Sequence, residues 1–197
     1  MASAKKKRVG VLALQGDFEA HAKALDRAGA EAVEVRGADD LKSIDGLVIP
    51  GGESTTILKL LKFMDLKDPL REFAREKPVF GTCAGAILLA KEVRNPEQES
   101  FGLIDLTVER NGYGRQIDSR VASIHPGSEF EKRAGVGDVE AVFIRAPIIR
   151  RTGPGVSVLA QYEGDPVLVE QGRHLVATFH PELTQDSRVH KLFLSKL

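Results

Sequence analysis

The stretch Pro78-Val79-Phe80-Gly81-Thr82-Cys83-Ala84-Gly85-Ala86-Ile87-Leu88-Leu89-Ala90-Lys91 decides the fold. A short apolar run ends at Phe80, and Ala86 to Lys91 is rich in good helix formers, so the segment predicts strand, tight turn and helix. The only cysteine of the chain, Cys83, stands at the corner with Gly81 and Gly85 on either side. Small neighbours allow the central residue a strained backbone angle, with its side chain projecting above the sheet edge. The sulfur also falls at a helix N-terminus, where the dipole and free N–H groups favour thiolate over thiol. A free cysteine is more commonly a small buried hydrophobe. The flanking glycines favour the nucleophile.

A cysteine nucleophile needs a base, and the chain has five histidines. His180 stands out in Val176-Ala177-Thr178-Phe179-His180-Pro181-Glu182. A β-rich run leads to it, and Pro181 ends regular structure there. Glu182 is two residues on, so an extended segment would point both side chains the same way. A carboxylate so placed orients the imidazole and stabilises the imidazolium. A strand end with a surface His and Glu is the plainer alternative, and the upstream elbow tips the balance towards catalysis. His21 falls on the first predicted helix, His125 in a loop before Pro126, His174 at a hairpin turn and His190 on the C-terminal helix. None shows metal-ligand spacing with the lone cysteine, and no metal site is expected.

A third element is Ile49-Pro50-Gly51-Gly52-Glu53-Ser54-Thr55-Thr56, after the apolar Gly46-Leu47-Val48-Ile49 and before the periodic Ile57, Leu58, Leu60, Leu61 and Met64. It again predicts strand, glycine loop, helix, with Ser54 or Thr55 as a helix cap. Two glycines let the backbone approach a ligand and turn N–H groups towards it. Acyl transfer needs such donors for the oxyanion, one from the residue after the nucleophile and one from a second loop. Ala84 and the Gly51-Gly52 loop fit those roles. The spacing is not that of a phosphate-binding P-loop.

At 197 residues the chain suits one domain, 1–197, with a sizeable core. With 28 basic and 28 acidic residues its formal net charge is zero, so no nucleic-acid footprint is expected. Lys5-Lys6-Lys7-Arg8 reads as part of a solvated, flexible basic tail over residues 1–7 before the first strand. The apolar residues after it are too few for a signal peptide, and no run approaches the ~20 residues of a membrane span. One cysteine excludes an intrachain disulfide, and the expected location is cytoplasmic.

Along the chain, Val9 to Leu14 reads as a strand, Phe18 to Ala28 as a helix before Gly29, and Ala32 to Val35 as a strand. The Leu47 strand, Ile57 helix, Val79 strand and Ala84 helix follow. This alternation predicts an α/β fold: a three-layer sandwich with a mostly parallel central sheet and helices on both faces. Leu103 to Val108, Ser119 to Ile124, Val139 to Ile144, Val156 to Tyr162 and Val167 to Glu170 read as short strands adding a small antiparallel extension. A helix over Ser187 to Leu197 closes the chain.

Together these motifs resemble the class I glutamine amidotransferases, whose glutaminase domain uses a Cys-His-Glu triad. The resemblance runs from Leu12-Ala13-Leu14-Gln15-Gly16 to His180-Pro181-Glu182-Leu183-Thr184. Val108-Glu109-Arg110-Asn111 with Gly114-Arg115-Gln116, and Phe143-Ile144-Arg145-Ala146-Pro147, narrow it to the branch of pyridoxal 5′-phosphate synthase glutaminases. Many relatives in other branches carry glutamine where this chain has Ile87, which argues against the guanine, anthranilate and histidine pathways.

The resemblance implies hydrolysis of L-glutamine to L-glutamate and ammonia by Cys83, His180 and Glu182, without a cofactor. It implies an oxyanion hole at Gly51, Gly52 and Ala84. It places Arg110 and Arg145 near the substrate carboxylate, with Gly52, Glu53, Ser54 and Ile144 lining the pocket. A guanidinium grips a carboxylate bidentately, as lysine does not. The implied partner is the barrel-shaped synthase subunit in a hetero-oligomer, with Gln15 near the oxyanion loop coupling the two. A glutaminase subunit of another amidotransferase, or a non-catalytic stress or regulatory protein of the same elbow-cysteine fold, are the alternative readings.

Overall fold

The computed structural model describes residues 6–111 and 119–197. A seven-stranded sheet forms its centre, in the order β10-β11-β12-β4-β3-β1-β2. The strands are β1 (Arg8–Leu12), β2 (Glu31–Val35), β3 (Gly46–Ile49), β4 (Val79–Thr82), β10 (Ser157–Tyr162), β11 (Asp165–Gln171) and β12 (His174–Ala177). From β2 to β12 the neighbours are parallel; β11 and β10 add an antiparallel edge. The expected α/β sandwich is present.

Strand alternation sorts the side chains to two faces. Val9, Val11, Val48 and Phe80 pack with α1 (Phe18–Ala28), α5 (Ser128–Ala134) and α6 (Arg188–Leu194) through Leu25, Phe130 and Phe193. Leu12, Leu47, Ile49 and Val79 pack with α2 (Ser54–Phe63), α3 (Lys67–Glu76) and α4 (Ala84–Leu89) through Ile57, Leu70 and Leu88. Each large apolar side chain so buried contributes about 1.5–3 kcal/mol. The Asp17 carboxylate caps α1 by accepting from the Ala20 amide, and Gly29, at φ 99°, ends it in the left-handed conformation.

Several elements differ from the sequence expectation. The helix after Cys83 stops at Leu89, and Ala90–Arg94 is strand β5, paired with β6 (Ile104–Glu109). Helix propensity there yields to sheet pairing that buries Val93. β6 also pairs with β9 (Ile148–Thr152), giving a separate three-stranded sheet, and β7 (Ser119–Ile124) with β8 (Val139–Ile144) makes a two-stranded ribbon. The single antiparallel extension is therefore three pieces. Helices α3 and α5 and strand β9 were not among the predicted elements, and neither was the 3-10 turn Ala38–Ser43. Of the basic tail, residues 1–5 lie outside the described residues, and the Lys7 ammonium donates to the Leu197 carbonyl at 2.7 Å.

The topology prepares the site. β4 lies between β3 and β12, all three parallel, with Ile49 opposite Gly81 and Ala177 opposite Thr82. Their C-terminal ends therefore deliver the glycine loop, the cysteine and the histidine side by side. Crevices beyond the carboxyl ends of parallel strands are where α/β sheets bind ligands.

Candidate active site

Cys83 has φ 48° and ψ −101°, a setting rare for any residue with a side chain. Such strain costs on the order of 1–3 kcal/mol and persists where the surroundings over-determine it. Here they do. A β-carbon at Gly81 would strike the Gly85 backbone, and one at Gly85 would strike the Ile49 carbonyl. The Cys83 amide donates to the Ala177 carbonyl at 2.9 Å, tying the elbow to β12. The thiol itself lies 3.8 Å from the Ile144 carbonyl. Ala84 opens α4, where first-turn amides have no acceptor inside the helix.

His180 follows β12, held by its amide to the Val142 carbonyl at 2.8 Å. Its Nδ1 lies 2.7 Å from Glu182 Oε1. The local geometry differs from the extended segment expected, because Pro181–Leu183 forms a 3-10 turn. That turn, not strand alternation, folds the carboxylate back under the ring. Burial favours the neutral imidazole, but hydrogen bonds to Cys83 and Glu182 outweigh it and raise His180 to about 10. The ring thus holds a proton at neutral pH. Burial also opposes charge on Glu182, yet the attraction of His21 and the hydrogen bond to His180 hold its carboxyl below the usual range.

The glycine loop sits against both groups. A β-carbon on Gly51 would collide with His180 Cε1 and approach the Cys83 β-carbon. Gly52 has φ 148°, and a β-carbon there would meet the Gln15 amide. Gln15 Oε1 accepts from the Glu53 amide at 2.8 Å, so Gln15 braces the loop from β1's end. The expected cap differs: Glu53 is the N-cap of α2, without a side-chain cap bond, and Ser54 is the first helical residue.

Two adjoining cavities meet at Cys83 and share Gly52, Glu53, Ile144 and Arg145. The first extends over Ser54, Ala84, Ile87, Arg110 and Asn111; the second over Gln15, Gly51, His180 and Leu183. Every sequence-predicted site residue except Glu182, which stands behind His180, therefore lines one space around the sulfur. Arg110 Nη2 donates to Glu53 Oε1 at 3.2 Å, while its buried Nε has no partner among the described residues. Arg145 has φ 45°, a second left-handed side-chain-bearing residue at this rim. Gly114-Arg115-Gln116 lies outside the described residues.

Some participants carried no sequence signal. The Ser54 hydroxyl donates to Gln98 Oε1 at 2.9 Å, and Gln98 comes from an irregular stretch 44 residues away. His21 approaches Glu182 Oε2 at 3.3 Å from the far side. Only its place on an amphipathic helix was legible.

The arrangement has the parts of a nucleophile, a base, an orienting acid and a carboxylate-binding cation. Known proteins resemble the chain as a whole. The profile of the SNO glutamine amidotransferase family matches residues 11–197. The "Pyridoxal 5′-phosphate synthase subunit PdxT" of Solibacter usitatus is 68% identical over 97% of this chain and 100% of its own length. That of Koribacter versatilis is 55% identical over 95% and 94%. A crystal structure of a glutamine amidotransferase superposes with TM-score 0.86 at 48% identity, covering 95% of this chain and 97% of the other. A chain of the PurLQS structure from Thermotoga maritima shares the fold, with TM-score 0.70 at 15% identity and coverage of 97% and 99%. This chain belongs to the SNO glutamine amidotransferase family.

Proposed function

We propose that this chain is the glutaminase subunit of a pyridoxal 5′-phosphate synthase, hydrolysing L-glutamine and passing the ammonia to a synthase subunit. The observation that carries this reading is Cys83, held at a positive φ between the Gly51-Gly52 loop and the His180–Glu182 pair. The relatives' names, subunits of a pyridoxal 5′-phosphate synthase, support the pathway and a partner subunit.

The proton of the Cys83 thiol resides on His180, stabilised by Glu182, and the sulfur attacks the side-chain carbonyl carbon of glutamine. The oxyanion takes hydrogen bonds from the Ala84 amide and a Gly51-Gly52 loop amide. The C–N bond breaks as His180 returns the proton to the leaving nitrogen, giving ammonia and a thioester on Cys83. Water, deprotonated by His180, then hydrolyses the thioester to glutamate and restores the thiolate–imidazolium pair. Arg110 and Arg145 grip the substrate α-carboxylate, and Gly52, Glu53, Ser54 and the Ile144 backbone line the rest of the pocket.

Ammonia is mostly ammonium at neutral pH and must reach its acceptor unprotonated, which favours delivery inside a complex. A loop with two glycines samples several backbone conformations, and docking that selects the competent one activates the site. Gln15, hydrogen-bonded to the loop through Glu53, is placed to transmit that docking. No described helix is long and apolar enough to cross a membrane, and the lone cysteine fits a reducing cytoplasm.

The test is steady-state glutamine hydrolysis by the isolated chain and by the chain with the synthase subunit, at saturating glutamine. Weak turnover alone, rising by ~10²–10³ in the complex, is expected if docking completes an oxyanion donor. No hydrolysis in either state overturns the glutaminase assignment, and equal turnover overturns the activation.

A further inference from the structure

Behind the site, away from the substrate cavity, lies a second cluster of imidazoles. His21 on α1 and His190 on α6 are fully buried, and Glu182 is nearly so. His21 Nε2 stands 3.0 Å from Thr82 Oγ1 and 3.3 Å from Glu182 Oε2. His21 Nδ1 stands 3.2 Å from His190 Nε2. Thr82 directly precedes the nucleophile, so the cluster touches both the acid and the elbow.

Electrostatics fix how the protons lie. A carboxylate in a dry interior is costly unless its oxygens are paired. Glu182 Oε1 has His180; Oε2 is buried without a hydrogen-bond partner among the described residues, and His21 Nε2 lies 3.3 Å from it. An unprotonated His21 Nε2 would aim a lone pair at that oxygen. The Nε2–H tautomer instead bonds Thr82 Oγ1 at 3.0 Å and turns its positive N–H edge towards Glu182 Oε2 at 3.3 Å. Nδ1 of His21 then accepts from His190 Nε2–H. This leaves His190 Nδ1 as a bare lone pair, and that atom is buried without a partner among the described residues. An unpaired acceptor is the less costly orphan.

Burial holds His21 below the usual histidine range and His190 down at about 3, which keeps His190 neutral and biases His21 towards its neutral form. The titratable groups around His21 are Glu182, His180 and Asp17; those around His190 are His21, Glu182, Arg27 and Asp186.

We propose that His21, itself oriented by His190, is a positioning residue that locks the rotation and ionisation of Glu182 and through it the His180–Cys83 pair. The proposal rests on the triad reading above and extends it to a directed chain of donors converging on one carboxylate. Without His21 the buried oxygen loses the N–H edge that faces it, the carboxylate is freer to rotate or to take up a proton, and the imidazolium loses its fixed counter-charge.

Two readouts test it, both on the full-length chain assembled with the synthase subunit. The first is glutamine hydrolysis. His21→Leu, which fills the space without a donor, is expected to lower kcat between about 10- and 100-fold while KM for glutamine stays within about twofold. His21→Gln, whose amide nitrogen reaches the place of Nε2, is expected to stay within about threefold of wild type. His21→Asn, whose amide stops at Nδ1, is expected to fall with His21→Leu.

The second readout is alkylation of Cys83, the sole cysteine, by iodoacetamide across pH. His21→Leu is expected to slow alkylation at neutral pH and move its pH profile upward, and His21→Gln to restore it. If His21→Leu does not fold, the Gln and Asn pair decides. Equal activity and equal alkylation profiles for Gln and Asn overturn the proposal, as does an unmoved profile in His21→Leu. Because alkylation needs no glutamine, a wild type that fails to hydrolyse glutamine overturns the function while a shifted profile still upholds this coupling.

Discussion

Gly51 lies directly beneath the ring of His180, so close that a β-carbon at position 51 would occupy the space of Cε1. The glycine loop and His180 are thus one packed unit, and the second glycine supplies the positive φ beside it.

Gly51→Ala is therefore expected to displace either the imidazole or the loop, lowering glutamine turnover by at least about 100-fold, the usual cost of a lost oxyanion donor or a misplaced base. The loop is not part of the sheet ladder, so the thermal midpoint is expected to move little. Turnover within threefold of wild type would show that loop and base are not so coupled.

Within the triad the two partners of Cys83 are not equivalent. His180→Asn removes the proton carrier and is expected to approach the loss from removing the nucleophile, several orders of magnitude. Glu182→Gln keeps a polar group against Nδ1 and is expected to lose less. Steady-state kcat of both variants in the complex checks the order. Equal, mild losses would assign the base elsewhere.

The elbow, the glycine loop and His-Pro-Glu were legible because each is a local pattern whose chemistry is written in adjacent residues. The sheet core was legible for the same reason: Val9 to Leu12, Gly46 to Ile49 and Val79 to Thr82 are apolar runs between helical patterns. What escaped depends on distant partners. Ala90 and Lys91 read as helix until β6 is alongside. β9 carries Arg150 and Arg151 in its five residues, and α5 fully buries only Phe130 of its seven. His21 and His190 are 169 residues apart, and neither sequence neighbourhood announces that they meet. The pairing of His180 with Glu182 was anticipated, but for the wrong local geometry: a 3-10 turn makes it.

Acid should destabilise the fold through its buried neutral rings. Burial pushes His174 down to about 4 and His190 to about 3. The unfolded chain takes up these protons near pH 6.5 and the folded one resists, so stability is full above about 6.5 and falls as pH drops towards 4. The slope is at most about 1.4 kcal/mol per pH unit per ring. His174 Nδ1 accepts from the Val79 amide at 3.2 Å, which requires the unprotonated nitrogen. His174→Asn preserves an acceptor and removes the titration, and urea midpoints from pH 7 to 4 should show a shallower loss. An unchanged slope would remove His174 from the account.

The most direct measurement is made on Cys83→Ala in complex with the synthase subunit, comparing pyridoxal phosphate formation from glutamine with that from ammonium salt. The account predicts that glutamine-driven synthesis and glutamine hydrolysis fall by several orders of magnitude, while ammonium-driven synthesis stays at the wild-type rate. Near-normal synthesis from glutamine in this variant would contradict the account at its centre.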